Sequence, residues 1–139
     1  MRFITFVLLF FLVVSCSSTS SKIVGKWKLE EIDYSAYFLD VSNEVKTMLE
    51  NQMKEEFERL KNKTYFEFKE DYKLLLEAPN YEGKQTFTEG SWTMNSSEDS
   101  LFFELEDLEN YKIEKLDELE MVLSTSDTPK RTLRLTKVK

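Results

Sequence analysis

Cys16 carries the only thiol in the chain, and histidine is absent. One thiol cannot close an internal disulfide. Without imidazole there is no Ser-His-Asp triad, no histidine metal site and no histidine acid–base step. What remains is a sulfur that can carry a covalent group, and a large supply of carboxylates. Glu104, Glu106, Asp107 and Glu109 sit close together, followed by Glu114, Asp117, Glu118 and Glu120. Their spacing lacks the oxygen-ligand pattern of a dedicated calcium loop, so they read as a solvated face. A glycosidase-like acid pair would need two carboxyls facing each other across a cleft, and nothing in the pattern singles out such a pair. With no nucleophile motif beside them, the chain is read as non-enzymatic, with no cofactor and no metal site.

The residues around Cys16 say what the sulfur is for. Met1 and Arg2 give a positive start, Phe3 to Val14 form a nearly unbroken apolar run, and Val13 and Ser15 precede the cysteine. The run is shorter than the roughly 20 apolar residues that span a bilayer. This arrangement resembles a bacterial lipoprotein signal, which wants an aliphatic residue three before the cysteine and a small one just before it. A secretory signal cut elsewhere, or a chance apolar terminus, is the plainer alternative.

The resemblance implies that residues 1–15 are a signal peptide, that lipid including an acyl chain such as palmitate is attached at Cys16, and that residues 16–22 are a short linker. Acyl chains hold a membrane through buried methylenes at about 0.8 kcal/mol each, and stable anchoring takes more than one chain. Ser17 to Ser21 would let the domain stand no more than about 20 Å from the lipid. Ser17 is not the aspartate that favours inner-membrane retention, and no acidic residue occurs before Lys22. The expected place is the bacterial outer membrane, facing the periplasm. Loss of Arg2 with the signal makes the chain one charge more negative than its full-length −7. That balance argues against nucleic acid and against electrostatic binding of anionic lipid.

The elements that follow are mostly short strands. Gly25, Trp27 and Leu29 share one parity, as do Phe66 and Phe68, then Tyr72, Leu74 and Leu76, with Glu70-Asp71 as a two-residue turn between. Thr86, Thr88, Gly90, Trp92 and Met94 share another face, with a bend or bulge expected near Gly90. Leu101, Phe103 and Leu105 follow, then Tyr111 and Ile113, then Leu119, Met121 and Leu123, and last Leu133, Leu135 and Lys137. Eight such runs, with turn signals between them, predict an antiparallel barrel or sandwich in one domain over residues 23–139. Between the first two runs, residues 42–62 carry Val45, Leu49, Met53 and Phe57 every four residues. This is an amphipathic helix, with Ser42 as its N-cap and Glu50 paired to Lys54.

Gly25-Lys26-Trp27 resembles the Gly-x-Trp opening of lipocalins. The layout of "GKWKLEEI", "YFEFKEDYKLLLE", "GSWTMN", "LFFEL" and "TLRLTKVK" is similar to the lipocalin-like domains of bacterial lipoproteins. The resemblance implies a mainly β fold: an eight-stranded antiparallel up-and-down barrel with one amphipathic helix inserted after strand one. That helix position departs from the larger lipocalins, where it comes late. The family habit of laying a basic side chain of the last strand across the tryptophan points to Lys137 over Trp27, with Gly25 beside them, as the structural closure of the barrel.

Two readings of the interior follow. A bulky inward set packs as a core with no ligand. Alternatively, a small apolar molecule lies near the mouth among Phe66, Leu76, Trp92, Phe103 and Met121, with Tyr72 or Thr88 offering a hydroxyl. The helix likewise reads either as a plug burying its apolar stripe against the barrel end, or as a lid or docking surface. Tyr34, Tyr37 and Phe38 form an aromatic loop before it. The functional expectation is a membrane-anchored binder or carrier of a small hydrophobic ligand. The alternative is a module for an envelope protein partner, or an inhibitor, with a filled barrel.

Overall fold

A computed structural model describes residues 18–106 and 108–139. Eight antiparallel strands close into one barrel in sequence order, as the alternation predicts. They are β1 (Gly25–Asp33), β2 (Tyr65–Phe68), β3 (Lys73–Pro79), β4 (Gln85–Met94), β5 (Ser100–Glu104), β6 (Leu108–Leu116), β7 (Glu120–Thr125) and β8 (Thr132–Lys137). A short helix α1 (Thr19–Ile23) precedes β1. Between β1 and β2 come a 3-10 turn at Ser35–Phe38 and the helix α2 (Asn43–Leu60).

The register shows why the alternating residues meet. Trp27 pairs with Phe66 on β2 and with Lys137 on β8, Leu29 pairs with Leu135, and Leu135 with Met121. Since side chains of a strand alternate between faces, these pairs all point into the barrel. Trp27, Phe68, Leu74, Trp92, Leu101, Phe103, Met121, Leu123 and Leu135 are almost completely buried there. Removing each such side chain from water contributes about 1.5–3 kcal/mol, so the filled interior is the main favourable term.

Two register shifts bend the wall, at Glu30 in β1 and at Glu114 in β6. Neither is at Gly90, where the sequence suggested one. The pairing of β4 with β3 runs through Gly90 without a shift, and its pairing with β5 begins at the next residue, Ser91. Glycine is needed there for a different reason. A Cβ would lie 2.1 Å from the carbonyl oxygen of Glu104 and 2.9 Å from the Leu105 side chain, because the chain leaving β5 passes directly over it.

Other local expectations are corrected. The β2–β3 connection does turn on Glu70-Asp71, closed by the Tyr72 amide donating to Lys69 O at 3.1 Å, but the loop is wider and takes in Lys69 and Tyr72. Tyr72 has φ 63°, the left-handed region that such a turn requires, so it falls outside the strand alternation. Leu119 also lies in a turn and is exposed, because Asp117 Oδ1 accepts from the Leu119 and Glu120 amides. The supposed linker is partly ordered. Ser18 caps α1, and Ile23 at its end is fully buried.

The helix α2 is present but does not plug the barrel. None of its residues is buried, and Val45 and Met48 stand exposed. The barrel's own side chains already occupy the interior, so the stripe has nothing to enter. Leu60 packs against the core, and Arg59 latches the C-terminal turn by donating to Pro79 O and lying 4.7 Å from the Tyr81 ring centroid. Ser42 occupies the N-cap position without a side-chain cap bond, and the ion pairs on the helix are Lys46–Glu50 and Arg59–Glu56 rather than Glu50–Lys54.

At the β6 bulge, Glu114 accepts from the buried Ser124 hydroxyl at 2.6 Å and from Lys130 Nζ at 2.9 Å. The Ser124 bond, with help from Lys130, lowers its pKa to about 2. A carboxylate whose folded pKa is depressed adds stability above its unfolded pKa, and that stability is lost as pH falls through the folded value. The urea midpoint difference between the parent protein and Glu114→Gln is therefore expected to be full at pH 6, to shrink below about pH 4.3 and to disappear near pH 2. A difference independent of pH would refute the role given to this carboxylate.

Candidate functional site

The up-and-down path sorts the barrel into two ends. At the base lie the start of β1, the β2–β3 turn and the end of β8. The Trp27 indole donates to Ile23 O at 2.6 Å, tying α1 across this end. Lys137 Nζ sits 5.0 Å from the Trp27 ring centroid and donates to Lys22 O at 3.1 Å. Gly25, at φ 132°, leaves room for it: a Cβ there would meet Lys137 Cε at 2.7 Å. The lysine stem thus covers the indole while its ammonium caps the C-terminal end of α1.

The middle is solid. Phe68 meets the Trp92 ring edge-on at 5.6 Å and Phe103 at 5.5 Å, Phe103 meets Phe66 at 5.9 Å, and Tyr111 closes on Phe103 at 5.0 Å. The Trp92 indole donates to Lys69 O at 3.1 Å, so its one polar atom is satisfied within the wall. Met121 is fully buried in the same cluster. Phe66, Trp92, Phe103 and Met121, expected near a ligand, are all buried in this core cluster.

The mouth is where space opens. Leu76, Thr88, Leu105, Glu106 and Glu109 line an open groove of about 330 Å³. Beside it a second groove, of about 230 Å³, is lined by Tyr37, Glu109, Thr125, Asp127 and Arg131 among others. Glu109 is common to both. Arg131 Nη2 donates to the Tyr111 hydroxyl at 2.8 Å and lies 3.5 Å from Glu109, while Tyr111 donates to Glu109. Burial raises the Tyr111 phenol far above its ordinary range, so it stays a donor at any physiological pH. Arg131 Nε is buried without a partner.

Of the residues expected at the ligand, Leu76 and Thr88 are brought together at the mouth. Tyr72 is at the opposite end, half-exposed with its ring 5.2 Å from Trp92, over a separate hollow shared with Ser20, Val24 and Glu70. Leu105, Glu109, Tyr111 and Arg131 also meet at the mouth, and the sequence does not single them out for a ligand. Arg131 does share the parity of Leu133, Leu135 and Lys137. Cys16 and the signal segment lie outside the described residues. Among the described residues, no group of metal-ligating side chains gathers, and no helix is long and apolar enough to cross a membrane.

The family model for the lipocalin-like domain matches residues 23–123. The chain belongs to the lipocalin-like domain family. Among solved structures, a lipocalin-like protein from Bacteroides uniformis is 13% identical with a TM-score of 0.56, the match covering 84% of this chain and 99% of that one. A protein from Bacteroides eggerthii is 14% identical with a TM-score of 0.53, over 83% and 98% of the two chains. Bovine odorant binding protein in complex with undecanal is 14% identical with a TM-score of 0.51, over 86% and 73%. No curated protein matches the sequence. Lipocalin-like folds typically bind small hydrophobic molecules rather than catalyse. In this lipocalin-like domain the helix follows β1.

The base geometry predicts an order of effects. Lys137→Met loses the cation over the indole and should cost about 0.5–2 kcal/mol. Gly25→Ala forces a strained φ and pushes the flexible Lys137 stem aside, and should cost about 1–3 kcal/mol. Urea denaturation of both variants measures this, and a neutral Gly25→Ala would contradict the closure described.

Proposed function

We propose that this lipocalin-like domain is a non-catalytic, lipid-anchored binder of a small apolar or amphipathic molecule, held in the mouth of the barrel rather than in its interior. The observation that carries the reading is the groove with one apolar wall, Leu76 and Leu105, at the only end of a filled barrel not tied down by α1. An open groove over a packed floor favours a ligand that lies across the rim, with faster exchange than a closed cavity allows.

The lipoprotein resemblance at Cys16 supplies the anchor, on the periplasmic face of the outer membrane. Because Ser18 already caps α1, and α1 is docked on the base, two residue steps separate the docked domain from Cys16, roughly 7 Å of chain. The barrel would stand base-down on the lipid with its mouth turned away. Ligand would then pass to and from the aqueous side rather than directly from the anchoring leaflet.

A second reading has its own observation. Leu39, Val45 and Met48 are exposed, and a groove of about 290 Å³ runs between Phe38 and the Met53–Phe57 side of α2. Such a surface suits a protein partner in the envelope.

Two measurements test these readings. Labelled palmitate should enter the protein in cells and be absent from Cys16→Ser; equal labelling of both would remove the anchor. Fluorescence of a neutral apolar dye, N-phenyl-1-naphthylamine, should report binding that falls about tenfold or more in Leu105→Glu, where a charge enters the apolar wall, and is unchanged in Val45→Glu. Loss in Val45→Glu alone would move the binding surface to α2.

A further inference from the structure

We infer that Arg131 is the polar end of the mouth site and selects a long-chain aliphatic carboxylate; this rests on the mouth reading above and names the ligand class for it. The inference starts from an imbalance. Arg131 points into the barrel mouth on the parity of Leu133, where a residue of that kind is costly to bury unless its donors are met. Its Nη2 serves Tyr111 and faces Glu109, but Nε is buried with no acceptor. The unmet group is a donor, so the ligand that completes the site brings an acceptor oxygen.

The surroundings choose among acceptors. Nε and Nη2 form one edge of the guanidinium fork, which matches the two oxygens of a carboxylate. Glu109 stands near that edge, 3.5 Å from Nη2. Its side chain is about half exposed, at 53%, so it can turn to solvent, the buried Tyr111 hydroxyl then donating to the incoming carboxylate in its place. The two grooves meet at Glu109, so a head on Arg131 leaves the tail directed along Leu76, Thr88 and Leu105. An ammonium head would leave Nε unmet and meet Arg131 itself. Glu106 and Asp127 also line these grooves and set a limit on affinity, since a carboxylate entering there passes two like charges.

Calorimetric titration of the full chain with dodecanoate, dodecanol and dodecyltrimethylammonium tests this. Dodecanoate should bind about tenfold or more tightly than dodecanol, the margin of a charge-assisted bond. Arg131→Met should erase that margin while leaving dodecanol unchanged. Glu109→Gln, which removes the competing carboxylate on an exposed side chain, should tighten dodecanoate severalfold and leave dodecanol alone, so the inference stays testable even where Arg131→Met does not fold. Equal binding of acid and alcohol, or preference for the ammonium, overturns the head-group assignment and leaves the mouth reading standing. Binding of none of the three overturns both.

Discussion

A closed barrel of eight strands has an interior just wide enough to be filled by side chains, and everything else in this molecule follows from how that volume is used. Trp27, Phe68, Trp92 and Phe103 take most of it, each almost fully buried and in ring contact or hydrogen bond with the wall. Once they are in place there is no room for a plug, so α2 stays on the rim, where Leu60 and Arg59 latch it and Leu49, Met53 and Phe57 are partly covered. The same filling leaves the open space at the upper layer, where Leu76, Thr88 and Leu105 are only partly covered, and this is where the proposed binding is placed. Stability and binding are thereby separated along the barrel axis.

The base is built for permanence. The Trp27 indole and the Lys137 ammonium both donate to carbonyls at the end of α1, so a five-residue helix that would not hold by itself is fixed by side chains of the first and last strands. The mouth is built differently. Its polar set, Arg131, Tyr111 and Glu109, is internally paired except for one buried donor, a feature that costs about 1–3 kcal/mol unless something meets it. The buried Thr64 hydroxyl, just before β2, is likewise without a partner, so both unmet groups lie toward the mouth rather than the base.

Strand alternation carried most of the fold in the sequence. The inward parities of Trp27, Leu74, Phe103, Met121 and Leu135 were legible because one-sided burial enforces period two. Local chemistry escaped where two causes compete for the same residue type. Gly90 reads as a bulge, but the passing Glu104 carbonyl is a tertiary fact with no local trace. Tyr72 looks like the first inward residue of β3, yet the turn takes it at positive φ. The site was less legible than the core. Apolar inward residues look alike whether they touch a neighbour or a ligand, so Phe66 and Phe103 could not be told from Leu76. The charged residue at the mouth, Arg131, lies just before β8 and outside its apolar alternation.

The most direct test of a filled barrel that binds only at its mouth is an NMR titration of the labelled protein with dodecanoate. The account predicts shifts at Leu76, Thr88, Leu105 and Arg131, with the Trp27 and Trp92 indole signals unmoved. Shifts of both indoles, or contacts from the alkyl chain to Phe68 and Met121, would mean that the interior opens to admit the ligand, and would contradict it.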